Sequence, residues 1–232
     1  MALITCPECG REISEYAESC PGCGCPKSLF PKLAEEQRMK AAFTDGAGVG
    51  AAATGGLSGG PQRNALPSSL SVGERFRMGS WGGRIIWWRV LDSSGNRILA
   101  ISEDGLDCKP FNSSRSKGNS WSASDLCNWL NSTFFTGAFS DDEQSSIRKV
   151  TCLSIEEAGK YFADNKDRIC EPTPVAVQLG ARIGSCLWWL RSPGSNGPEF
   201  AAYVGTDGSV FTNGWFVDYD FDAVRPALIL NL

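Results

Sequence analysis

The order of local patterns along the chain predicts an α+β fold for its larger part, preceded by a small cysteine-rich module. Three observations support this prediction. Two C-x-x-C pairs lie within the first 26 residues, a stretch with few large apolar side chains follows, and from residue 70 onward strand patterns give way to helix signals and then return. We therefore divide the chain into residues 1–27, 28–69 and 70–232.

The N-terminal module is defined by two C-P-x-C-G motifs that lie ten residues apart. In each motif two thiolates on one tight turn can reach the same ion, and the glycine lets the backbone curl beneath the sulfurs. Two such turns complete a tetrahedral site with no open position, so we expect a structural zinc bound by Cys6, Cys9, Cys20 and Cys23. A redox dithiol or unpaired thiols are the alternative, and Cys25 is a competing ligand.

This cysteine pattern, over residues 3–26, resembles the short zinc ribbons at the N-termini of many bacterial proteins. The resemblance implies a pair of zinc-held knuckles of a kind that often contacts another macromolecule. We therefore expect the module to be a candidate contact with a host complex.

Residues 28–69 are predicted to connect the module to the main domain through a short helix and a linker. Leu29–Lys40 can place its apolar residues on one side of a helix and its charges on the other. Residues 44–67 consist largely of Gly, Ala, Ser and Pro and cannot bury enough apolar surface to offset the entropy of ordering. We expect this linker to act as a flexible tether.

The overall composition argues against several classes of function. The chain has 232 residues, a formal net charge of −4 and no histidine. Without histidine there is no Ser-His or Cys-His nucleophile pair and no His-ligated catalytic metal. The absence of a basic tract argues against nucleic acid as the main ligand, and the absence of an apolar run of about 18 residues argues against a membrane span. Because the N-terminus lacks the features of a secretory signal, we expect a cytoplasmic protein.

The main domain is predicted to begin and end with strands. Ile85–Leu91 and Arg97–Ile101 are apolar runs joined by the turn residues of Asp92–Asn96, which predicts a β-hairpin after a first strand near residues 72–79. Strand-like segments recur toward the C-terminus at Leu187–Leu190, Ala201–Val204, Ser209–Phe211, Gly214–Val217 and Ala227–Leu230.

Two or three short helices are predicted between these groups of strands. One helix holds Leu126, Trp129 and Leu130 and has two serines that could serve as its N-cap. Two later segments show the capping-box pattern, a serine followed three residues later by a glutamate. The cap candidates are Ser122 or Ser124, Ser140 with Glu143, and Ser154 with Glu157.

Most tryptophans are expected to build the core rather than a platform for stacking carbohydrate, given how often large aromatic side chains are buried. Arg191 and Arg225, which lie beside Pro-Gly and Pro-Ala turns, are expected to pair internally with carboxylates or carbonyls. The tryptophans assigned to the core are Trp87, Trp88, Trp121, Trp129, Trp188 and Trp189.

The stretch from Ser195 to Ala223 has the composition of a recognition surface. Its 29 residues include seven aromatics, four aspartates and four glycines, and neither lysine nor arginine. A buried strand pair would be rich in Val, Ile and Leu, whereas rings that alternate with small acceptors are typical of binding loops. We therefore expect the ligand-binding residues in this stretch.

A set of separated motifs in residues 70–232 resembles a bacterial and phage domain of the C-type-lectin-like type. The motifs are Ile86–Asp92, Leu106–Phe111, Trp121 with Leu126-x-x-Trp129-Leu130-Asn131, Leu153–Ala158, Trp188–Gly194, Asp207–Val210 and Val224–Leu228. This domain occurs as the variable protein of diversity-generating retroelements, and its fold is similar to that of formylglycine-generating enzymes. The resemblance implies a compact scaffold with short strands, two or three short helices and much irregular structure.

The same resemblance implies that the C-terminal part displays hypervariable residues to a protein or other macromolecular ligand, without catalysis. In such systems mutagenic reverse transcription alters template adenines, so Asn codons become codons for many other residues. Trp215 fits that route less well and is expected as a neighbouring contact. The candidate ligand-binding residues are Tyr203, Gly205, Thr206, Phe211, Thr212, Asn213, Trp215, Phe216, Asp218, Tyr219, Asp220, Phe221 and Asp222.

Three other functions stay open from the sequence. An oxidoreductase of the formylglycine-generating type needs a reactive cysteine pair in the C-terminal half, for which Cys170 and Cys186 are the candidates. A calcium-dependent lectin could draw oxygen ligands from Glu171–Thr173 and from Asp218, Asp220 and Asp222. An adaptor would use the zinc module for docking and the larger domain as a spacer.

Overall fold

The computed structural model of the chain describes residues 3–5, 12–14, 17 and 70–231. The chain divides into two compact units, Met1–Pro61 and Gln62–Leu232. In the first unit, strands β1 (Leu3–Thr5) and β2 (Glu12–Ser14) pair antiparallel, with Leu3 opposite Ser14. The four predicted zinc ligands, Cys25, the predicted helix at Leu29–Lys40 and the predicted tether lie outside the described residues.

The second unit is a mixture of strands and short helices, which confirms the predicted α+β class. Its strands are β3 (Arg75–Trp81), β4 (Arg84–Ser94), β5 (Arg97–Ser102), β6 (Asp107–Cys108), β7 (Ile147–Thr151), β8 (Trp188–Pro193), β9 (Phe200–Val204), β10 (Val210–Phe216), β11 (Ala223–Val224) and β12 (Ala227–Asn231).

These strands form two five-stranded sheets. The first has the order β3-β4-β5-β12-β7, and all of its neighbours pair antiparallel. The second has the order β10-β9-β8-β11-β6, in which only the short β11–β8 pairing is parallel. Because β11 is followed at once by β12, the chain passes from the second sheet to the first across Arg225 and Pro226.

Short helices connect the strands of the second unit. They are α1 (Asp125–Trp129), α2 (Phe135–Ala138), α3 (Asp141–Ser146), α4 (Ile155–Lys160), α5 (Asn165–Arg168) and α6 (Pro174–Gln178), with 3-10 turns at Arg115–Lys117 and Trp121–Ala123 and a π-helical turn at Leu130–Phe134 between α1 and α2. Within the part of the chain that the structure describes, none of the helices combines the length and apolar character that a membrane crossing needs.

The local signals for helix starts are confirmed. Ser124 is the N-cap of α1, and its hydroxyl accepts a hydrogen bond from the backbone N–H of Cys127. Both predicted capping boxes are present, at the starts of α3 and α4. The predicted hairpin is also confirmed as β4 and β5. Strand β4 extends into the predicted loop as far as Ser94, which leaves a turn at Gly95 and Asn96, and β5 begins at Arg97 as predicted.

The core lies between the sheets and the helices and contains most of the tryptophans. Trp88, Trp188 and Trp189 are fully buried, whereas Trp121 and Trp129 are partly buried against the core. Trp87 was wrongly assigned to the core, since it is 46% exposed. The reason is strand alternation, because Trp88 faces inward and its neighbour on β4 must face the other way.

Candidate aromatic binding surface

The candidate surface is built on the β9–β10 hairpin and on the segment that follows it. The register between the two strands shifts between Phe211 and Trp215, so β10 bulges near its middle. Gly214 lies in this bulge with φ of +85°, and a Cβ there would come within 2.7 Å of the Ala201 carbonyl oxygen. Glycine is therefore required for the turn that sets the direction of the Trp215 side chain.

Five aromatic rings form a continuous chain across this region. Phe211 stacks on Tyr203 with ring centroids 4.8 Å apart and an interplanar angle of 3°. Edge contacts continue from Tyr203 to Trp215 at 5.9 Å, from Trp215 to Tyr219 at 5.4 Å and from Tyr219 to Phe221 at 5.7 Å. We call the four exposed members, Phe211, Trp215, Tyr219 and Phe221, the aromatic surface.

A second group of contacts lies beside these rings. The Phe216 ring lies 4.6 Å from that of Phe200, and the guanidinium of Arg115 lies over Phe216, 3.6 Å from its centroid. Arg115 Nε also donates to both carboxylate oxygens of Asp218 at 3.0 Å. Sequence reasoning missed Arg115, because nothing in the polar segment around it indicates that it reaches a residue more than a hundred positions away.

The structure brings most of the predicted binding residues to the outside. Seven are exposed, namely Phe211, Thr212, Asn213, Trp215, Tyr219, Asp220 and Phe221, and three are half-buried, namely Thr206, Phe216 and Asp218. The prediction of outward display was wrong for Tyr203, Gly205 and Asp222, which are buried.

Two of the three buried residues, Tyr203 and Gly205, position the Phe211 ring. The buried ring of Tyr203 stacks against the ring of Phe211 and supports it. At Gly205 a Cβ would come within 2.6 Å of the Phe211 ring, so a larger residue would displace that side chain. Asp222 is 3% exposed and directly precedes β11.

Asp222 is an unusual carboxyl group for a core position. Its Oδ2 atom has no hydrogen-bond partner, and burial raises its pKa to about 7. Asp218 is bonded to Arg115 and Asp220 is exposed, so the three alternating aspartates lie in three different environments. Among the described residues no group of three or more Cys, His, Asp or Glu side chains is arranged to hold a metal ion.

One buried thiol, that of Cys108, lies against the backbone of Phe221. Cys108 Sγ donates to the Ala176 carbonyl at 3.3 Å and to the Phe221 carbonyl at 3.6 Å. The Phe221 ring packs on Gly180, where a Cβ would come within 2.7 Å of it. The chain segment around α6 therefore supports one end of the aromatic surface.

The two arginines that flank the candidate stretch are used internally, as predicted. Arg191 Nη2 donates to Glu157 Oε1 at 2.9 Å, and its Nη1 donates to the Cys152 carbonyl at 2.7 Å. Arg225 is 1% exposed and donates to three backbone carbonyls, those of Ser102, Glu103 and Arg168. Both guanidiniums thus hold the frame that carries the surface.

A groove that the sequence did not indicate lies elsewhere on the second unit. It has a volume of about 490 Å³ and lies where β3 meets the turn between α2 and α3. Its lining includes Arg77, Ile85, Phe139 and Glu143, and Glu143 Oε1 accepts a hydrogen bond from the Gly79 N–H at 2.8 Å.

Comparison with known families places most of the second unit in one of them. Residues 95–160 and 152–232 match the family described as domain of unknown function DUF6273, and together these matches span more than half of the chain. The chain belongs to the DUF6273 family. No curated protein and no solved structure matches the chain.

The DUF6273 match begins at the turn after β4 and runs through β12. It therefore contains the whole second sheet, the aromatic surface and the buried cysteines Cys108, Cys170 and Cys186. Strands β3 and β4 and the N-terminal unit lie before the residues that match this family.

Proposed function

We propose that this DUF6273 protein is a binding protein that recognises a protein or other macromolecular ligand through its aromatic surface, without catalysis. One observation supports this proposal most strongly. Four large aromatic side chains on β10 and the segment after it are exposed by 37% to 53%. The rings of Trp215, Tyr219 and Phe221 contact one another in series, and Phe211 joins them through the buried ring of Tyr203. Isolated exposed rings are common on protein surfaces, but contiguous exposed aromatic area is typical of interaction sites.

The composition of the surface also fits a recognition role. Tyr and Trp provide contact area at low cost in rotamer entropy, and the exposed Thr212, Asn213 and Asp220 provide hydrogen-bonding groups that can be redirected by substitution. Arg115 fixes Asp218 and covers Phe216, so part of the surface is already ordered before a ligand arrives. A preordered surface loses less conformational entropy on binding.

We further propose that the second unit has a C-type-lectin-like fold and that its surface is diversified by a retroelement. The short strands, short helices and long irregular connections agree with that fold. The exposed positions lie in two short stretches, residues 211–215 and 219–221, between buried residues that hold the frame. Comparison of the gene with a nearby template repeat tests the diversification directly. Mismatches confined to template adenines are expected, and mismatches at other bases would remove the retroelement part of the proposal.

The remaining parts of the proposal concern the N-terminal unit. We propose that Cys6, Cys9, Cys20 and Cys23 bind a structural zinc and that this ribbon contacts a host complex in the cytoplasm. The duplicated C-P-x-C-G pattern supports the ligand set. Zinc content per chain, measured by mass spectrometry under native conditions, is expected to be one and to fall to zero on removal of the four cysteines.

The binding proposal is tested with two matched tryptophan variants. Trp215 and Trp87 are 40% and 46% exposed, and only Trp215 belongs to the aromatic surface. Once a ligand has been isolated with the wild-type protein, we expect Trp215→Ala to weaken its binding at least tenfold and Trp87→Ala to leave it unchanged, because buried aromatic anchors dominate interface energies. Equal losses in the two variants would argue that the ligand does not bind the aromatic surface. Biolayer interferometry measures both affinities.

One observation favours the alternative of a formylglycine-generating type of oxidoreductase. Cys170 and Cys186, the predicted cysteine pair, do lie together, with their sulfur atoms 3.8 Å apart. Both thiols are buried, however, and the hydrogen bond to Cys170 together with burial raises the pKa of Cys186. A catalytic pair must be open to a substrate, so rapid alkylation of these thiols in the native protein would be needed to favour the enzyme.

A further inference from the structure

The thiols of Cys170 and Cys186 lie close together in the buried cluster that also contains Cys108. The backbone N–H of Cys186 donates to the Cys170 carbonyl at 2.9 Å. The Cys186 sulfur lies 3.4 Å from that carbonyl oxygen and 3.8 Å from the Cys170 sulfur. Bond formation requires the sulfurs to approach to about 2.05 Å with the Cβ atoms about 3.8 Å apart. Since the backbones are already hydrogen-bonded to each other, rotation of the two side chains supplies most of this movement.

The surroundings of the pair favour a reactive sulfur at Cys170. Burial alone raises its pKa, but the hydrogen bond from Cys186 and the positive charge of Arg225 act in the other direction and leave the pKa below its ordinary value. Arg225 is buried, and it donates its hydrogen bonds to backbone carbonyl oxygens. Because these carbonyl acceptors carry no net charge, they do not cancel the positive charge of Arg225, and that charge stabilises a nearby thiolate.

The second half of the segment that separates the two cysteines can open without disturbing either sheet. Its first half is held by a bridge between Pro172 and Gly105 and by the buried Ala176. Residues 178–185, apart from Ala181, are exposed or half-buried, with Leu179 and Ile183 at 47% and 58%. Segments with few buried apolar contacts open locally at low free-energy cost. A small oxidant can therefore reach the sulfurs although they are only 2% and 1% exposed in the closed structure.

We propose that Cys170 and Cys186 are a dithiol that a low-molecular-weight disulfide, such as glutathione disulfide, converts to an intramolecular disulfide that stiffens one end of the aromatic surface. The Cys170 thiolate attacks one sulfur of the oxidant, which breaks the S–S bond and releases one thiol. Cys186 then loses its proton and attacks the Cys170 sulfur, which expels the second thiol. The two cysteines lose two electrons and two protons, and the oxidant leaves as two thiols.

The link to ligand binding follows from what packs on the closed segment. The new bond would fix both ends of residues 171–185, which carry Gly180 beneath the Phe221 ring and the Ala176 carbonyl that accepts from Cys108. Oxidation would thus restrain Phe221, the most exposed ring of the surface. This regulatory part rests on the proposed function, whereas formation of the bond does not.

Peptide mapping of the full-length protein tests the bond itself. Trypsin cleaves at Arg168, Arg182 and Arg191, so Cys170 and Cys186 fall in separate peptides with one cysteine each. After equilibration at graded ratios of reduced to oxidised glutathione and alkylation of free thiols, we expect peptides 169–182 and 183–191 to appear joined and 2 Da lighter than the two free peptides. Both peptides remaining fully alkylated at the most oxidising ratio, or Cys170 joined to Cys108 instead, would overturn the proposal.

Hydrogen exchange and melting temperature test the mechanical consequence. In the oxidised wild type we expect slower amide exchange over residues 174–185 and 219–222 and a melting temperature higher by several degrees, because a closed loop restricts the unfolded chain. Cys186→Ser should abolish both changes, and Cys127→Ser, at a half-buried thiol outside this cluster, should retain them. If the bond forms but exchange at residues 219–222 is unchanged, the link to the surface is wrong while the disulfide stands.

Ligand affinity measured with reduced and oxidised protein separates the two proposals. A change in affinity on oxidation in the wild type that is lost in Cys186→Ser supports the regulatory part. If Trp215→Ala binds normally while the disulfide still forms, the proposed function fails and the redox chemistry remains.

Discussion

At the scale of single residues, Asp222 is a buried carboxyl group whose charged form is unfavourable in the folded chain. It is buried next to the aromatic surface with one carboxylate oxygen unpaired, and its pKa is raised to about 7. The unfolded chain loses this proton near pH 4, whereas the folded chain keeps it until about pH 7. In that interval the folded state binds more protons than the unfolded state, so this group makes stability fall as pH rises.

We therefore expect Asp222→Asn to be stabilising in a pH-dependent way. At about pH 4 both forms carry a neutral side chain and should have similar stability. By about pH 8 the variant should be more stable by roughly 2–4 kcal/mol, because it avoids a buried charge. Urea denaturation at several pH values measures the difference between variant and wild type.

Asp220→Asn provides the control for this prediction, since Asp220 is exposed two positions away. It should leave the pH dependence of wild type in place. A difference between Asp222→Asn and wild type that stays constant from about pH 4 to about pH 8 would mean that Asp222 does not hold its proton in the folded chain.

At the scale of elements, the sequence predicted what local chemistry determines. Ser140 with Glu143 and Ser154 with Glu157 lie within one helical turn of each other, so their pattern alone identified both capping boxes. The signals for the hairpin of β4 and β5 also come from residues that are neighbours in the sequence. The α+β class followed from the order of such segments.

The elements that were missed depend on distant partners. Strand β7 follows α3 directly and exists because it pairs with β12, about eighty residues later. Strands β6 and β11 have two residues each and are defined by pairing with each other and, for β11, with β8. A single sequence carries no signal for such pairings, and the same limit explains why Arg115 and the burial of Asp222 were not foreseen.

The bulge in β10 is an element that depends on one glycine. Gly214→Ala places a methyl group within 2.7 Å of the Ala201 carbonyl oxygen at a positive φ, so the hairpin must shift. We expect a loss of about 2–4 kcal/mol in the free energy of unfolding. Chemical denaturation of the purified variant measures it.

Gly83→Ala is the matched comparison, because Gly83 also has a positive φ, +76°, but the position that its new methyl group would take has no neighbouring atom within 4 Å. It should cost only the backbone strain, about 1 kcal/mol. Similar losses in the two variants would show that the close contact at Gly214 relaxes freely and that the bulge does not depend on glycine.

At the scale of the whole molecule, the second unit consists of a buried frame and a set of exposed residues that the frame displays to solvent. Trp188 and Trp189 on β8 are fully buried, and Arg225 is bonded to carbonyls at the crossing between the sheets. The exposed rings lie on the outer strand β10 and on the segment that follows it. The sequence predicted both the location of the display and the role of the flanking arginines. It could not predict which positions face inward, because the bulge and the turns after β10 break strict alternation.

This separation predicts how the protein tolerates substitution. The test is a library in which every residue from 203 to 222 is replaced by each of the other amino acids. Exposed side chains make few contacts in the folded protein. Most replacements at Thr212, Asn213, Tyr219, Asp220 and Phe221 should therefore change stability by less than about 1 kcal/mol. Replacements at Gly214 should be strongly destabilising, since this glycine has a positive φ and a Cβ would come within 2.7 Å of the Ala201 carbonyl oxygen. Tyr203 should accept only other aromatic residues, because it supports Phe211.

Protease resistance of the displayed library, read by sequencing, measures all positions together and requires no ligand. The buried Val204 and Val217, which lie in the same stretch, serve as internal controls and should reject polar residues. If the exposed positions prove as intolerant as these two valines, the rings belong to the folding core and the surface cannot have been diversified. If they vary freely while Gly214 and Tyr203 do not, the buried frame alone determines stability, which is the condition that a binding surface with exchangeable side chains must meet.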